Sequence, residues 1–171
     1  MKLSAILCIT LLAGATSALA QENPYLAPAK QTFGMIKGNI IKAAEQMPAE
    51  HYAFKPTADV RSFGELLGHV ANANYMICSR ASGAESPNKV NIEKTVTDKA
   101  ALATALSESF AFCDAQFDAL GAKAPEVIDM FGMKMPRLNV LQFNTIHDME
   151  HYGNMVTYMR IKGLVPPSSQ R

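Results

Sequence analysis

The chain has 171 residues, with 16 Lys and Arg against 15 Asp and Glu, a formal net charge of +1. The charges are interspersed, without a basic block or an acidic tail, which excludes the electrostatic footprint of a nucleic-acid-binding protein. Length and an apolar fraction of 49% suit a single globular domain with a substantial core.

Met1-Lys2 is followed by residues 3–19, almost all apolar or small, and by Ala18-Leu19-Ala20, a small-residue cleavage pattern. Residues 1–20 read as a secretory signal peptide cleaved after Ala20, leaving one domain over 21–171. The run is short for a membrane span and lacks a charged stop, so no stable span is expected after processing. The protein is therefore expected to be exported, periplasmic or extracellular. Cys78 and Cys113 remain after cleavage. An oxidising compartment invites a disulfide between them, and free cysteine is also a common core residue.

Helical periodicity recurs four times and no β pattern stands out. The first helix runs from near Tyr25 to Met47, with Leu26, Ala29, Phe33, Ile36, Ile40, Ala44 and Met47 three or four apart, and Pro48 ends it. The second opens at "SFGE", where Ser62 and Glu65 can form a capping box. Its stripe is Leu66, Val70, Ala73 and Ile77, and "SGAESPN" stops it. The third starts near Thr97-Asp98, carries Leu102, Leu106, Phe110, Cys113, Phe117 and Leu120, and ends at Gly121. The fourth follows Pro136 and reaches Lys162, with Gly163 beyond it and Arg160 and Lys162 suited to the negative end of the helix dipole. Four amphipathic helices imply an all-α four-helix bundle. The connection from the second to the third helix, about sixteen residues, exceeds the usual 2–8 and can cross over the bundle. If those two helices run parallel, Cys78 and Cys113 reach the same level; if antiparallel, they lie far apart.

His147 and His151, in "HDMEH", stand one turn apart on one face of the fourth helix. Such a pair is commonly solvated, but this face continues through Val140, Asn144, Met155 and Tyr158, so it points inward, where unpartnered imidazoles are costly. His69 sits near the middle of the second helix and can meet the pair across the bundle. His69, His147 and His151 are therefore the metal candidates, three neutral ligands that leave a coordination position open, as catalytic zinc sites do. His51 lies in a loop and reads as structural or exposed. Asp148 and Glu150 flank the ligands about 100° round the helix, where either can support a histidine or face water. "HDMEH" also fits H-x-x-E-H, the inverted zinc-peptidase motif, although a third ligand from another helix suits that architecture poorly. The late methionines, Met133, Met135, Met149, Met155 and Met159, read as core filler in preference to a soft-metal surface.

Around these histidines, "RSFGELLGHVANANYMIC" (61–78) and "HDMEHYGNMVTYMRIKGLVPPSS" (147–169) resemble the DinB-like (DinB/YfiT) superfamily, with "MPAEHYAFKPTADV" as a matching lead-in. The resemblance covers most of the chain and implies a bundle in up-down-down-up order. It also implies a divalent ion, zinc, nickel or iron-like, on a three-His site to which His69, His147 and His151 correspond one by one. Characterised relatives include metal-dependent thiol transferases and a thiol-dependent maleylpyruvate isomerase. Here Tyr152 follows the last histidine where many relatives carry Arg, which departs from their thiol-cofactor site.

The expected function is a metal-dependent enzyme of transferase or hydrolase type acting on an unidentified small molecule. The rival is a non-catalytic metal- or ligand-binding protein of the cell envelope. Glu150 and Tyr152 are the candidates for proton transfer. Asn144, Asn154 and Tyr158 near the site suit an uncharged or weakly polar ligand. Low-molecular-weight thiols are scarce and oxidised outside the cell, so cytosolic thiol-dependent transfer is not expected to be the natural reaction. The sequence leaves the oligomeric state open, a homodimer being one option.

Overall fold

The helices begin and end where local chemistry dictates. In a computed structural model that describes residues 23–170, α1 (Leu26–Gln46) buries Leu26, Ala29, Phe33, Ile36 and Ile40 along one stripe. Helix α2 (Phe63–Ser82) opens on the expected capping box: Glu65 N donates to Ser62 Oγ at 3.1 Å and Ser62 N donates to Glu65 Oε2 at 2.7 Å. It stops at Gly83, whose φ of 80° favours glycine. A short turn of helix, α3 (Ile92–Thr95), interrupts the connection to α4 (Lys99–Leu120), which Asp98 caps by accepting from Ala101 N. The last helix, α5 (Arg137–Ile161), directly follows Pro136. The expected signal peptide, residues 1–20, lies outside the described residues. Among the described residues no helix is long and apolar enough to cross a membrane.

Side-chain pairs fix the helix directions. Lys30 pairs with Asp118 and Lys37 with Asp114, so α1 and α4 are antiparallel, with Phe33 packed on Phe110 and Phe117. Gly64 meets Leu102, Asn74 meets Ser109, and Cys78 meets Cys113, so α2 and α4 run parallel. Tyr158 reaches Arg61 O while Arg137 reaches Ala81 O, so α5 runs antiparallel to α2. The order is up-down-down-up, and the long crossover follows from the parallel central pair.

That same parallel pairing decides the cysteines. Cys78 and Cys113 come level, 5.4 Å apart at Cα, and form a disulfide. The crossover docks on α2 at Gly68, where a Cβ would lie only 2.7 Å from Glu93 Cα and 2.9 Å from Glu93 N. Only a bare backbone at position 68 lets α3 approach the helix so closely.

The bundle is as expected, and only the reading that no β pattern stands out needs a correction. Val127–Met130 (β1) and Met133–Pro136 (β2) form an antiparallel hairpin between α4 and α5. The turn is Phe131-Gly132, both at positive φ, and Gly132 N donates to Asp129 Oδ1. Such turns normally carry Asn-Gly or Asp-Gly, and Phe at the first position hides the signal. The methionines divide: Met155 and Met159 are buried, whereas Met133 and Met149 are exposed.

The disulfide closes a loop of sequence separation 35, so replacing both cysteines with serine should lower unfolding free energy by about 2–4 kcal/mol, read from urea titrations. Two reactive thiols in unfolded, unreduced protein would show instead that the bond is absent.

Candidate metal centre

Mid-helix histidines of α2 and α5 meet because the two helices cross antiparallel. His69 Nε2 lies 3.2 Å from His147 Nε2, which lies 3.1 Å from His151 Nε2, and one ring nitrogen from each of the three falls within 4.8 Å of the others. Two nitrogens bound to one ion at about 2.0–2.1 Å, with tetrahedral to octahedral angles, sit about 2.9–3.4 Å apart. Both of the adjacent spacings fall in that range, so the trio could hold a metal ion. Glu93 Oε2 is 3.1 Å from His69 Nδ1. That carboxylate places the His69 proton on Nδ1 and leaves the Nε2 lone pair aimed at the other two rings.

The electrostatics favour neutral imidazoles. Burial, followed by the charges of His147 and His69, pushes His151 down to about 4. Burial also lowers His69, against the opposing pull of Glu93. Burial would raise Glu93, but Arg61, 3.1 Å away at Nε, and then His69 hold it below the usual carboxylate range. Neutral imidazole is the form that ligates.

Asp148 is fully buried. Its Oδ2 accepts from Asn144 Nδ2 at 3.2 Å, and Asn144 Nδ2 also donates to Asn74 Oδ1 at 2.7 Å. Asn74 Nδ2 in turn donates to Ser109 Oγ. The other oxygen, Oδ1, faces His147 Nδ1 at 3.8 Å, beyond hydrogen-bond length, and neither atom has another partner. Burial raises the Asp148 carboxyl to about 6. A buried carboxylate beside an unpartnered imidazole nitrogen is the arrangement that orients a ligating histidine and offsets cationic charge.

The other expected residues lie elsewhere. Glu150 is exposed on the rim of a cleft of about 650 Å³ that reaches His151 and Glu93. Tyr152 is buried; its hydroxyl donates to Ser168 Oγ and accepts from Ser168 N, which ties α5 to the C-terminal turn. Asn154 and Tyr158 line the cleft, while Asn144 belongs to the buried network behind the histidines. Lys55, Arg61 and Lys94 also line the cleft, but Lys55 pairs with Glu65, and Arg61 and Lys94 pair with Glu93. His51 is half-buried in a turn outside this cluster. Sequence reasoning missed Glu93, an acid inside an apparent loop. Its only sequence trace is Gly68 beside His69, which lets the crossover approach.

The family model described as DinB superfamily matches residues 37–155. The uncharacterized protein YjoA of Bacillus subtilis strain 168 is 27% identical over 122 residues, 70% of this chain and 79% of that protein. The crystal structure of a DinB-like protein from Bacillus cereus ATCC 10987 superposes with a TM-score of 0.72 at 16% identity, covering 87% of this chain and 98% of that one. The crystal structure of Bacillus subtilis YjoA gives 0.68 at 24% identity, with 84% and 99% coverage. At these identities the structural likeness establishes the fold.

The Asp148 charge has a measurable signature. A carboxyl raised in the folded state stabilises the fold fully only below its unfolded value, and that contribution is lost as pH rises through about 6. Metal-free Asp148→Asn should therefore be more stable than wild type at pH 7.5 by roughly 1–3 kcal/mol. The advantage should vanish by about pH 4, as urea midpoints across pH would show.

Proposed function

The chain belongs to the DinB superfamily, and from that premise we propose that it is an exported protein that holds one divalent cation on His69, His147 and His151 and uses it as a metal-dependent enzyme of transferase or hydrolase type. The observation that carries this reading is the convergence of three Nε2 atoms from two helices beside an accessible cleft.

The residues divide the work. His69, His147 and His151 ligate through Nε2. Glu93 holds the His69 proton on Nδ1, and Asp148 stands behind His147 as the counter-charge. Asp148 offsets part of a divalent charge, whereas Glu93 is already paired with Arg61 and Lys94. A bound divalent ion supplies Lewis acidity, polarising a substrate oxygen or lowering the pKa of a bound water to about 7. Glu150, on the rim, is positioned to exchange protons between substrate and solvent. The Tyr152 hydroxyl is engaged by Ser168, which favours Glu150 over Tyr152 in that role.

The paired charges of the cleft support a weakly polar small molecule as substrate, since Lys55 and Arg61 are already neutralised by Glu65 and Glu93. The same pairing and Tyr152 weigh against transfer from an anionic intracellular thiol. Export is supported by the apolar N-terminal run of the sequence and by the disulfide, which suits an oxidising compartment.

Loading the purified protein with zinc and removing the excess should leave one ion per chain by elemental analysis, and His147→Ala should hold only a substoichiometric amount. Asp148→Asn should still bind, but about 10–100-fold more weakly, and wild-type affinity should fall steeply as pH drops toward about 4, where His151 takes up its proton. Full stoichiometric metal in His147→Ala would exclude the site.

A further inference from the structure

Away from the histidines, the outer face of α2, the crossover loop and the hairpin border an open cavity of about 940 Å³. Its volume lies within the range of small-molecule pockets, about 300–1,000 Å³, and exceeds that of the metal-side cleft. The crossover separates the two: Asn72 accepts from Ile92 N and Asn88 Nδ2, which pins the strap between them.

Three independent features mark this cavity as a site. The first is Phe131. It adopts φ 54°, sits at the hairpin tip, and is 64% exposed on the cavity wall. An aromatic side chain there carries both backbone strain and an exposed apolar ring, where Asn or Gly would carry neither. Tyr75, Met76, Ile128 and Met130 extend the apolar lining. The second is Ser79, a lining residue whose buried Oγ has no hydrogen-bond partner. The third is charge. Arg80 donates from Nε to Asp129 O and forms no ion pair among the described residues, whereas Arg137, the other cavity arginine, is paired with Glu126. The Asp129 carboxylate is turned to Gly132 N.

We propose that this cavity is a second binding site, for a flat aromatic small molecule bearing one acidic group. The ring packs between Phe131 and the Tyr75–Met76 surface, and the acid meets the guanidinium of Arg80. A strained hairpin tip is then the consequence of presenting an aromatic wall to the ligand.

The test uses 1-naphthoate as probe and the neutral 1-naphthylmethanol as its control, titrated into the purified protein by calorimetry with and without EDTA. One-to-one saturable binding of naphthoate, unchanged by EDTA, is expected. Phe131→Asn should weaken it about three- to tenfold while raising Tm by about 1–4 °C as the backbone strain is relieved. Arg80→Gln should weaken naphthoate about tenfold and leave naphthylmethanol unchanged, which shows that the cavity itself is intact. Absence of saturable binding overturns the proposal, as does binding abolished by EDTA. So do a Phe131→Asn variant with lowered Tm and undiminished affinity, and equal loss of both probes in Arg80→Gln.

Discussion

Everything at the centre of this molecule depends on the antiparallel contact between α2 and α5. That contact brings His69 level with the one-turn pair His147 and His151. Its register is set from both ends and from the middle: Tyr158 on Arg61 O, Asn144 on Asn74, and Arg137 on Ala81 O. A shift of one turn along either helix, about 5.4 Å, would separate the three ring nitrogens and also break the Asn74–Asn144 bond in the core. The polar network thus specifies the register that apolar packing alone would leave degenerate.

The network has an electrostatic cost that makes sense only in context. Asp148 is fully buried, and in an apolar bundle core an ionised carboxylate is expensive. Asn144 satisfies one of its oxygens, and the other faces the Nδ1 of a histidine whose Nε2 points into the trio. A cation held on the far side of that ring would offset the charge through the imidazole. On the opposite flank Glu93 does the same for His69 from a crossover strap, held there because Gly68 offers no Cβ to the strap's backbone. The disulfide fastens α2 to α4 one turn beyond Asn74, so covalent bond, polar network and candidate metal centre form one connected stack through the bundle.

Much of this was legible in the sequence, and for specific reasons. The capping box at Ser62 and Glu65, the helix stop at Gly83 and the three histidines are encoded by local spacing, and the folded chain keeps them. The inward face of α5 was readable because Val140, Asn144, His151, Met155 and Tyr158 repeat at helical period, and all are buried. The hairpin was not readable, since Phe131 occupies a position that Asn or Gly normally marks. Glu93 was not readable either, because its partner lies 24 residues away in sequence and only the crossover geometry joins them. The fate of Asp148 and Glu150, two acids spaced alike around the histidines, turned on which of them faced α2 and α4, and that is a tertiary fact.

In the proposed site three imidazoles from two helices close on one ion while a side stays open to the cleft. X-ray absorption at the zinc edge of the loaded protein tests it most directly. The expected first shell is three histidine nitrogens at about 2.0–2.1 Å with one or two light-atom ligands completing it. A shell containing sulfur, or one composed only of oxygen without imidazole scattering, would contradict it.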